Sequence, residues 1–158
     1  MWQHDREQME IKPANAQDAQ TLTAIAFAAK RHWRYPENWI LRWSDALIVS
    51  PEYIAQHPTF KAVLEAKPVG FCAVQIQGTA ASLDHLWVLP SCMGRGIGRA
   101  LFRQAEGTAR AKGATRLRIV GDPNAEAFYA KMGASIYGRE PANMDAVERW
   151  LPLFEKTL

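Results

Sequence analysis

Three glycines at alternate positions lie where an apolar segment gives way to a helical pattern, and this spacing could bind a phosphate group. They are Gly94, Gly96 and Gly98, and Arg95 and Arg99 lie next to them. Glycine accepts positive φ angles and lets the backbone approach a ligand closely. The N–H groups at a helix start attract anions. A tight turn without a ligand could use the same glycines, so the spacing alone leaves both interpretations open.

The same segment resembles one known cofactor loop and differs from two other phosphate-binding loops. A dinucleotide loop needs Gly-x-Gly-x-x-Gly, and a nucleoside-triphosphate loop needs a following Gly-Lys-Ser/Thr, which this segment lacks. Residues 93–98, Met-Gly-Arg-Gly-Ile-Gly, resemble the Gln/Arg-x-x-Gly-x-Gly/Ala signature of the GNAT acetyltransferase superfamily. Met93 departs from that signature, because the family usually has glutamine or arginine at this position.

The resemblance implies acetyl-CoA as the cofactor and assigns it two sets of contacts. One set would wrap the coenzyme A pyrophosphate and consists of Met93, Gly94, Arg95, Gly96, Ile97, Gly98 and Arg99. The other would offer backbone groups to the pantetheine arm, as an added peptide strand would, and consists of Leu86, Trp87 and Val88.

A second segment, residues 122–133, resembles the Asn…Tyr-x-x-x-Gly helix of the same family. Tyr129 and Gly133 have the family spacing, and the resemblance makes Tyr129 a cofactor contact and the general acid that protonates the departing sulfur. Asn124 is the implied cofactor contact. However, Asp122 occupies the position where the family usually has asparagine, so the choice between the two stays open. Core packing is the alternative for Tyr129.

Transfer to an amine requires a proton to leave, since an amine with a pKa near 10.4 is mostly protonated at neutral pH. His85 is the first candidate for the base or water relay, because imidazole titrates near neutrality. Asp84 is the second candidate, and alternation along a strand would place the two side chains on opposite faces. Neither Cys72 nor Cys92 has a base partner in the sequence, so direct attack in a ternary complex is expected.

The acceptor site is expected at the two N-terminal helices, as the resemblance implies. Trp33, Tyr35 and Trp39 are the predicted substrate-binding residues, because an aromatic pocket suits an apolar or cationic acceptor. Packing of the same rings in the core is the alternative. The sequence does not identify the acceptor.

The elements that would position these residues follow from periodicity and punctuation. Asn15 is the predicted cap of the first helix, with Asp18 three residues later. Pro36 would begin a second helix, which Ser50-Pro51 would end. The pattern predicts strands at 8–13, 60–65, 69–76, 83–89, 115–120, 134–137 and 148–155, and helices at 15–33, 36–50, 97–113 and 124–132. Pro152 favours an edge position for the last strand.

This order predicts an α/β fold of the GNAT type. Its centre would be a mostly antiparallel sheet of six to seven strands with helices on both faces. The 158 residues fit one acyltransferase domain, residues 1–158. A homodimer is expected only by analogy with the family.

Composition limits the other function classes. Lys and Arg number 19 against 16 Asp and Glu, and the only dense basic stretch is residues 95–112, so no nucleic-acid partner is expected. The sequence has no membrane-length apolar run and no signal-peptide core, which predicts a cytoplasmic protein without a membrane partner. His and Cys lack metal-ligand spacing, so no metal is expected. An N-acetyltransferase and a non-catalytic coenzyme A sensor remain the two hypotheses.

Overall fold

Alternating side chains on a central strand explain how helices cover both faces of one sheet. In the computed structural model, which describes residues 8–158, Phe71 points into a core with the N-terminal helices, and its neighbour Cys72 points into a second core on the other face. Both residues are almost fully buried. Successive strand residues face opposite sides, so one strand contributes to two cores.

The sheet contains seven strands in the order β1-β2-β3-β4-β5-β7-β6. The strands are β1 Met9–Pro13, β2 Thr59–Leu64, β3 Lys67–Gln77, β4 Ala80–Val88, β5 Arg116–Val120, β6 Ser135–Pro141 and β7 Trp150–Thr157. The helices are α1 Ala19–Arg31, α2 Glu37–Arg42, α3 Ser44–Leu47, α4 Pro51–Gln56, α5 Ile97–Ala111 and α6 Glu126–Lys131. Every strand pair is antiparallel except β4 with β5. The predicted fold class is confirmed.

The parallel pair is short, and it opens the sheet in the middle. Residues 80–82 of β4 pair with residues 116–118 of β5, and no described strand pairs with that edge of β4 beyond Ser82. A parallel crossover needs a long connection, here α5, so the two strands can diverge without straining a tight turn. We call the space between them the β4–β5 gap.

A bulge in β4 lies at the start of this gap. Ala73 of β3 pairs with His85, whereas Val74 pairs with Leu83, which leaves Asp84 as the extra residue. A bulge inserts one unpaired residue and redirects its side chain. Asp84 is exposed, while His85 is buried.

Two predictions about the helices and strands are wrong. Local hydrogen bonds explain the first. The single helix expected over 36–50 is divided into α2 and α3, and Ser50-Pro51 begins α4 instead of ending a helix. Ser50 caps α4, since its side chain accepts a hydrogen bond from the Tyr53 N–H, and Pro51 occupies the first turn. Serine before proline is a start signal for a helix as well as a stop signal.

The second error concerns the last strand. β7 lies between β5 and β6, so it is not an edge strand despite Pro152. Leu153 is the first residue of β7 that pairs with β5. The Pro152 carbonyl accepts from the Gly121 N–H, beyond the end of β5. The missing proline N–H therefore costs the β5–β7 ladder no hydrogen bond.

The β6–β7 hairpin ends in a tip that is attached to α2. Met144 and Val147 exchange two backbone hydrogen bonds, and Asp145 and Ala146 between them have φ angles of 48° and 65°. The Trp39 indole N–H donates to the Asp145 carboxylate at 2.8 Å. Arg42 forms an ion pair with the same carboxylate at 2.8 Å. These contacts hold the hairpin against the N-terminal helices. Within residues 8–158, no helix has the length and apolar character needed to span a bilayer.

Candidate active site

The start of α5 has the backbone geometry of an anion site. Gly94 and Gly96 have φ angles of +78° and +82°, which L-residues rarely adopt. Gly96 is the N-cap, and the first helical bond runs from the Ala100 N–H to the Gly96 carbonyl. The N–H groups of residues 97–99 therefore have no acceptor within the helix. These are the donors that an anion at the helix start would use.

A cavity of about 510 Å³ lies directly in front of these N–H groups. We call it the cofactor cavity. Its walls come from β4, the loop before α5, the α1 end and the α6 region. Arg99 and Lys131 contribute cationic side chains to it. Among the predicted cofactor contacts, the lining includes Leu86, Trp87, Val88, Met93, Gly94, Gly96, Gly98, Arg99 and Asn124.

Two of the three predicted pantetheine contacts present their backbone groups on the edge of β4 that faces the β4–β5 gap. The Leu89 N–H bonds to β3 through the Val69 carbonyl. Since backbone groups alternate along a strand, the N–H and C=O of Leu86 and Val88 point the opposite way, into the gap. Those of Trp87 point to β3, so Trp87 contributes its side chain to the cavity wall rather than a backbone hydrogen bond.

Three predicted loop contacts differ in what they can offer a ligand. The Ile97 side chain is buried in the core, so this residue can contribute only its backbone. Gly98 lies against the Phe128 ring, and a Cβ there would come within 3.4 Å of it. Arg95 is exposed, and its side chain does not line the cofactor cavity.

A second cavity of about 260 Å³ lies farther along the β4–β5 gap, and we call it the acceptor cavity. The two cavities share Trp87 and Asp122 and no other lining residue. Two ligands bound side by side would therefore meet at Trp87 and Asp122. A third cavity, of about 360 Å³, adjoins the acceptor cavity at Ala46, Asp84 and Val120.

Asp122 is the centre of a polar cluster between α1 and the α6 region. Its carboxylate accepts from the Lys30 ammonium at 2.6 Å, from the Tyr35 hydroxyl at 3.0 Å and from the Asn124 backbone N–H at 2.8 Å. Burial alone would raise the pKa of Asp122, but the Lys30 charge and the hydrogen bonds outweigh it and lower that pKa. Asp122 is thus ionised, and both of its carboxylate oxygens accept hydrogen bonds within the protein.

The cluster bears on the choice between Asp122 and Asn124 as the cofactor contact. Both line the cofactor cavity, and the Asn124 amide donates to the Tyr35 hydroxyl and to the Asp122 carboxylate. The Asn124 side-chain oxygen takes no part in these bonds. Asn124 therefore has more capacity left for a ligand than Asp122.

Tyr129 is buried beside the cofactor cavity. It is 7% exposed, and its ring packs against Phe102, Phe128 and Phe154. Burial and the nearby Asp122 charge raise the pKa of Tyr129 well above its usual range. Phe128 lines the cofactor cavity, whereas Tyr129 lines neither cavity directly. Its hydroxyl stays protonated at neutral pH, as a proton donor requires.

His85 and Asp84 occupy different environments. The His85 Nδ1 atom accepts from the Trp87 indole at 3.1 Å, and burial lowers the pKa of His85 to about 4. At neutral pH the proton is then on Nε2, so neither ring nitrogen is free to take another. Asp84 accepts from the Tyr53 hydroxyl at 2.6 Å and from Ser82 at 2.7 Å, and it lines the acceptor cavity.

The depressed pKa of His85 makes the folded state sensitive to acid. Because the folded pKa of about 4 lies below the ordinary value of 6.5, the stabilisation is complete above pH 6.5 and is lost as the pH falls towards 4. Between pH 7 and pH 5 this amounts to about 2 kcal/mol. We expect His85→Gln, whose amide can still accept from Trp87, to remove that part of the pH dependence. Urea unfolding of both proteins at the two pH values checks this. Equal losses in the two proteins would contradict it.

Of the three predicted substrate-binding aromatics, Tyr35 and Trp39 pack together, with ring centroids 6.3 Å apart, and Trp33 lines a different cavity. Trp33 lines the cofactor cavity rather than the acceptor cavity, and it is 39% exposed. Tyr35 is bound to Asp122, and Trp39 is buried and bound to Asp145. Trp43 lines the acceptor cavity.

Lys30 and Arg149 also line the acceptor cavity, and the sequence patterns identify neither of them. Lys30 belongs to the last turn of α1, and Arg149 precedes β7. A lysine or arginine near aromatic residues in the sequence carries little signal. The places of Lys30 and Arg149 in the cavity wall depend on contacts between segments that lie far apart in the chain.

Comparison with known proteins agrees with this geometry. The model of the acetyltransferase (GNAT) family matches residues 19–134. A GCN5-related N-acetyltransferase from Rhodopseudomonas palustris is 26% identical with a TM-score of 0.78, covering 98% of this chain and 99% of that one. The PaiA N-acetyltransferase of Thermoplasma acidophilum, crystallised with coenzyme A, is 21% identical with a TM-score of 0.75, covering 96% and 99%.

A more distant structure has the same fold. The ribosomal-protein-S18-alanine N-acetyltransferase of Escherichia coli is 16% identical with a TM-score of 0.74, covering 95% of this chain and 94% of that one. At such identities the likeness concerns the fold alone. No functionally curated protein matches the sequence.

Proposed function

The chain belongs to the GNAT acetyltransferase family, and from this premise we propose that it transfers the acetyl group of acetyl-CoA directly to an amine. The observation that carries the proposal is the common wall of the cofactor and acceptor cavities at Trp87 and Asp122. Direct transfer needs both reactants in contact at one point, and adjoining cavities supply that proximity.

In this proposal the start of α5 holds the pyrophosphate. The N–H groups of residues 97–99 are the donors, and Arg99 and Lys131 add positive charge. Leu86 and Val88 extend β4 by hydrogen bonds to the pantetheine amides. Asn124 offers its side-chain oxygen to the cofactor. The thioester would then lie near Trp87, at the opening towards the acceptor cavity.

The chemical step forms one bond between the amine nitrogen and the acetyl carbon and breaks the carbon–sulfur bond. An acceptor that enters as ammonium loses one proton before attack and a second from the nitrogen after attack. The sulfur gains one proton, and the other is released to water. Tyr129 is the proposed donor to sulfur, since its hydroxyl is protonated at neutral pH and its ring packs against Phe128, which lines the cofactor cavity. The family resemblance supports this role.

As the group that accepts the proton of the incoming ammonium before attack, Asp84 is favoured by the geometry over His85. Asp84 is exposed on the acceptor cavity and can hold the incoming ammonium and pass its proton to water. His85 has its Nδ1 occupied by Trp87 and is a weak base with a pKa of about 4. It is better suited to fix the Trp87 ring in the wall that the two cavities share.

The second candidate function is that of a coenzyme A sensor. It would bind the cofactor at the same loop but would not catalyse acetyl transfer. We expect acetyl-CoA mixed with a panel of amines to release free thiol, and the double-reciprocal plots for the two substrates to intersect, as a ternary complex requires. Tight coenzyme A binding without thiol release from any amine would support the sensor. Parallel plots would contradict direct transfer.

A further inference from the structure

We propose that the acceptor is an amino acid, because Arg149 and Asp84 give the acceptor cavity one binding point for a carboxylate and one for an ammonium group. This inference rests on the proposed acetyltransferase function and deepens it. It concerns the charges that face the acceptor cavity.

Two basic and two acidic side chains line the acceptor cavity. They are Lys30, Asp84, Asp122 and Arg149. Lys30 and Asp122 neutralise each other, since their ion pair is 2.6 Å long and both side chains are largely buried. One cation, Arg149, and one anion, Asp84, therefore remain for a ligand.

Three aromatic rings lie around the Arg149 guanidinium, which carries five N–H donors. Its central carbon lies 5.2 Å from the Tyr35 ring, 5.6 Å from Trp39 and 4.9 Å from Trp43. Cation–π contacts use the flat faces of the group, whereas carboxylates bind to its in-plane N–H groups. Within residues 8–158, no Asp or Glu forms an ion pair with Arg149. One N–H donates to the Ala142 carbonyl at 3.3 Å.

The backbone around Arg149 is fixed, which makes it a prepared binding group. Its N–H donates to the Asn143 side chain at 2.9 Å, and the Ala142 N–H bonds back to the Arg149 carbonyl. The tip of the same hairpin is held to α2 through the Trp39–Asp145 bond. A guanidinium held in place before binding loses little entropy when a carboxylate arrives.

Asp84 has the complementary position. The bulge in β4 exposes it, and its two oxygens accept from neutral hydroxyl groups, those of Tyr53 and Ser82. No Lys or Arg of the described chain forms an ion pair with it. Its carboxylate therefore has no cationic partner in the described chain and can pair with the ammonium group of an acceptor.

The volume of the acceptor cavity restricts the ligand to a small one. About 260 Å³ holds a compound of amino-acid size. With its carboxylate on Arg149 and its amine near Asp84, such a ligand would use both charged groups of the acceptor cavity, whose wall also includes Trp87. A simple amine or an amide would leave Arg149 without an anionic partner.

The test uses the whole protein, acetyl-CoA and matched pairs of acceptors, with free thiol as the readout. Each pair is an amino acid and its carboxamide, and the series includes α-, β- and γ-amino acids. We expect kcat/KM for the preferred amino acid to exceed that of its carboxamide by about 30-fold, from charge-assisted hydrogen bonds to Arg149. The series identifies the separation between amine and carboxylate.

A variant at Arg149 assigns the effect to this residue. Arg149→Met keeps an apolar stem among the three rings, and we expect it to lose the preference for the amino acid while the KM for acetyl-CoA stays unchanged. Arg139→Met is the matched control, because Arg139 belongs to the same hairpin, pairs with Glu126 at 3.0 Å and lines none of the three cavities. It should keep the full preference. Arg149→Lys, which retains charge without the planar fork, should keep part of it.

The outcomes separate the inference from the function on which it rests. Equal kcat/KM within every pair would overturn the amino-acid acceptor and leave acetyl transfer intact. A preference that survives in a folded Arg149→Met protein would overturn the role of Arg149. Coenzyme A binding without thiol release from either member of any pair would overturn both the inference and the proposed function. Thermal unfolding establishes that each variant is folded.

Discussion

Replacing Gly96 by aspartate should weaken the binding of coenzyme A at least ~100-fold, which corresponds to about 3 kcal/mol. Gly96 is the N-cap of α5 and has a φ angle of +82°. The introduced carboxylate would accept hydrogen bonds from the N–H groups of the first helical turn, which the pyrophosphate would otherwise use. It would also place a negative charge beside the phosphates. Isothermal titration with coenzyme A measures the loss.

Gly78→Asp is a close control for that experiment. Gly78 lies in the turn between β3 and β4, has a φ angle of +64°, and a Cβ there would meet no atom within 4 Å, as at Gly96. Both substitutions therefore cost similar backbone strain, but only one of them is at the phosphate loop. Gly78→Asp should bind coenzyme A like the unaltered protein. Equal affinity in all three folded proteins would remove the cofactor loop from the proposed mechanism.

Tyr129→Phe should lower kcat by ~10²-fold or more, the usual contribution of a positioned general acid. The change removes only the hydroxyl, and the ring stays packed among Phe102, Phe128 and Phe154. The dissociation constant for coenzyme A should change little, because the hydroxyl acts at the sulfur when the thiolate departs. Steady-state kinetics with the preferred acceptor and titration with coenzyme A measure the two quantities.

The pKa of Tyr129 also predicts how kcat depends on pH. Burial and the Asp122 charge raise the pKa of Tyr129, so the unaltered enzyme should show no loss of kcat with a midpoint at the ordinary tyrosine value near 10. A kcat that is equal in the two proteins would exclude Tyr129 as the acid. A large fall in the melting temperature of Tyr129→Phe would instead indicate a structural role.

The parts of the fold that the sequence predicts are those with local signals. Asn15 and Asp18 form the expected capping box, and Gly113 and Gly133 adopt positive φ just after α5 and α6. Each of these features depends on residues within one turn of each other. For the same reason the glycine spacing by itself identifies the strand-to-helix junction at the start of α5.

The errors occur where a local signal has two meanings or where topology decides. Ser50 followed by proline can end one helix or begin the next, and the hydrogen bond from the Tyr53 N–H to the Ser50 side chain selects the second. Pro152 indicates an edge strand, yet β7 has a strand on each side, because β5 ends opposite Leu153 and its ladder requires no N–H from Pro152. Neither decision can be made from neighbouring residues.

The candidate site divides in the same way. The cofactor contacts lie within two continuous segments, so a motif identifies them. The acceptor cavity instead joins segments far apart, as the Lys30–Asp122 bond across 92 positions and the Arg149 contacts to α2 illustrate. Motifs do not record such pairs, and for this reason only the three-dimensional arrangement identifies Arg149.

The short pairing of β4 with β5 has a consequence for isotope labelling. Beyond Ser82 no strand of the described residues lies opposite the amide hydrogens of Leu86 and Val88, so deuterium from the solvent should replace them quickly. A bound pantetheine arm would supply the missing acceptor and slow that replacement, while the Trp87 amide, which bonds to β3, should hardly respond. Hydrogen exchange at these two amides would thus measure how much of the protein has cofactor bound, without a chromophore and without turnover.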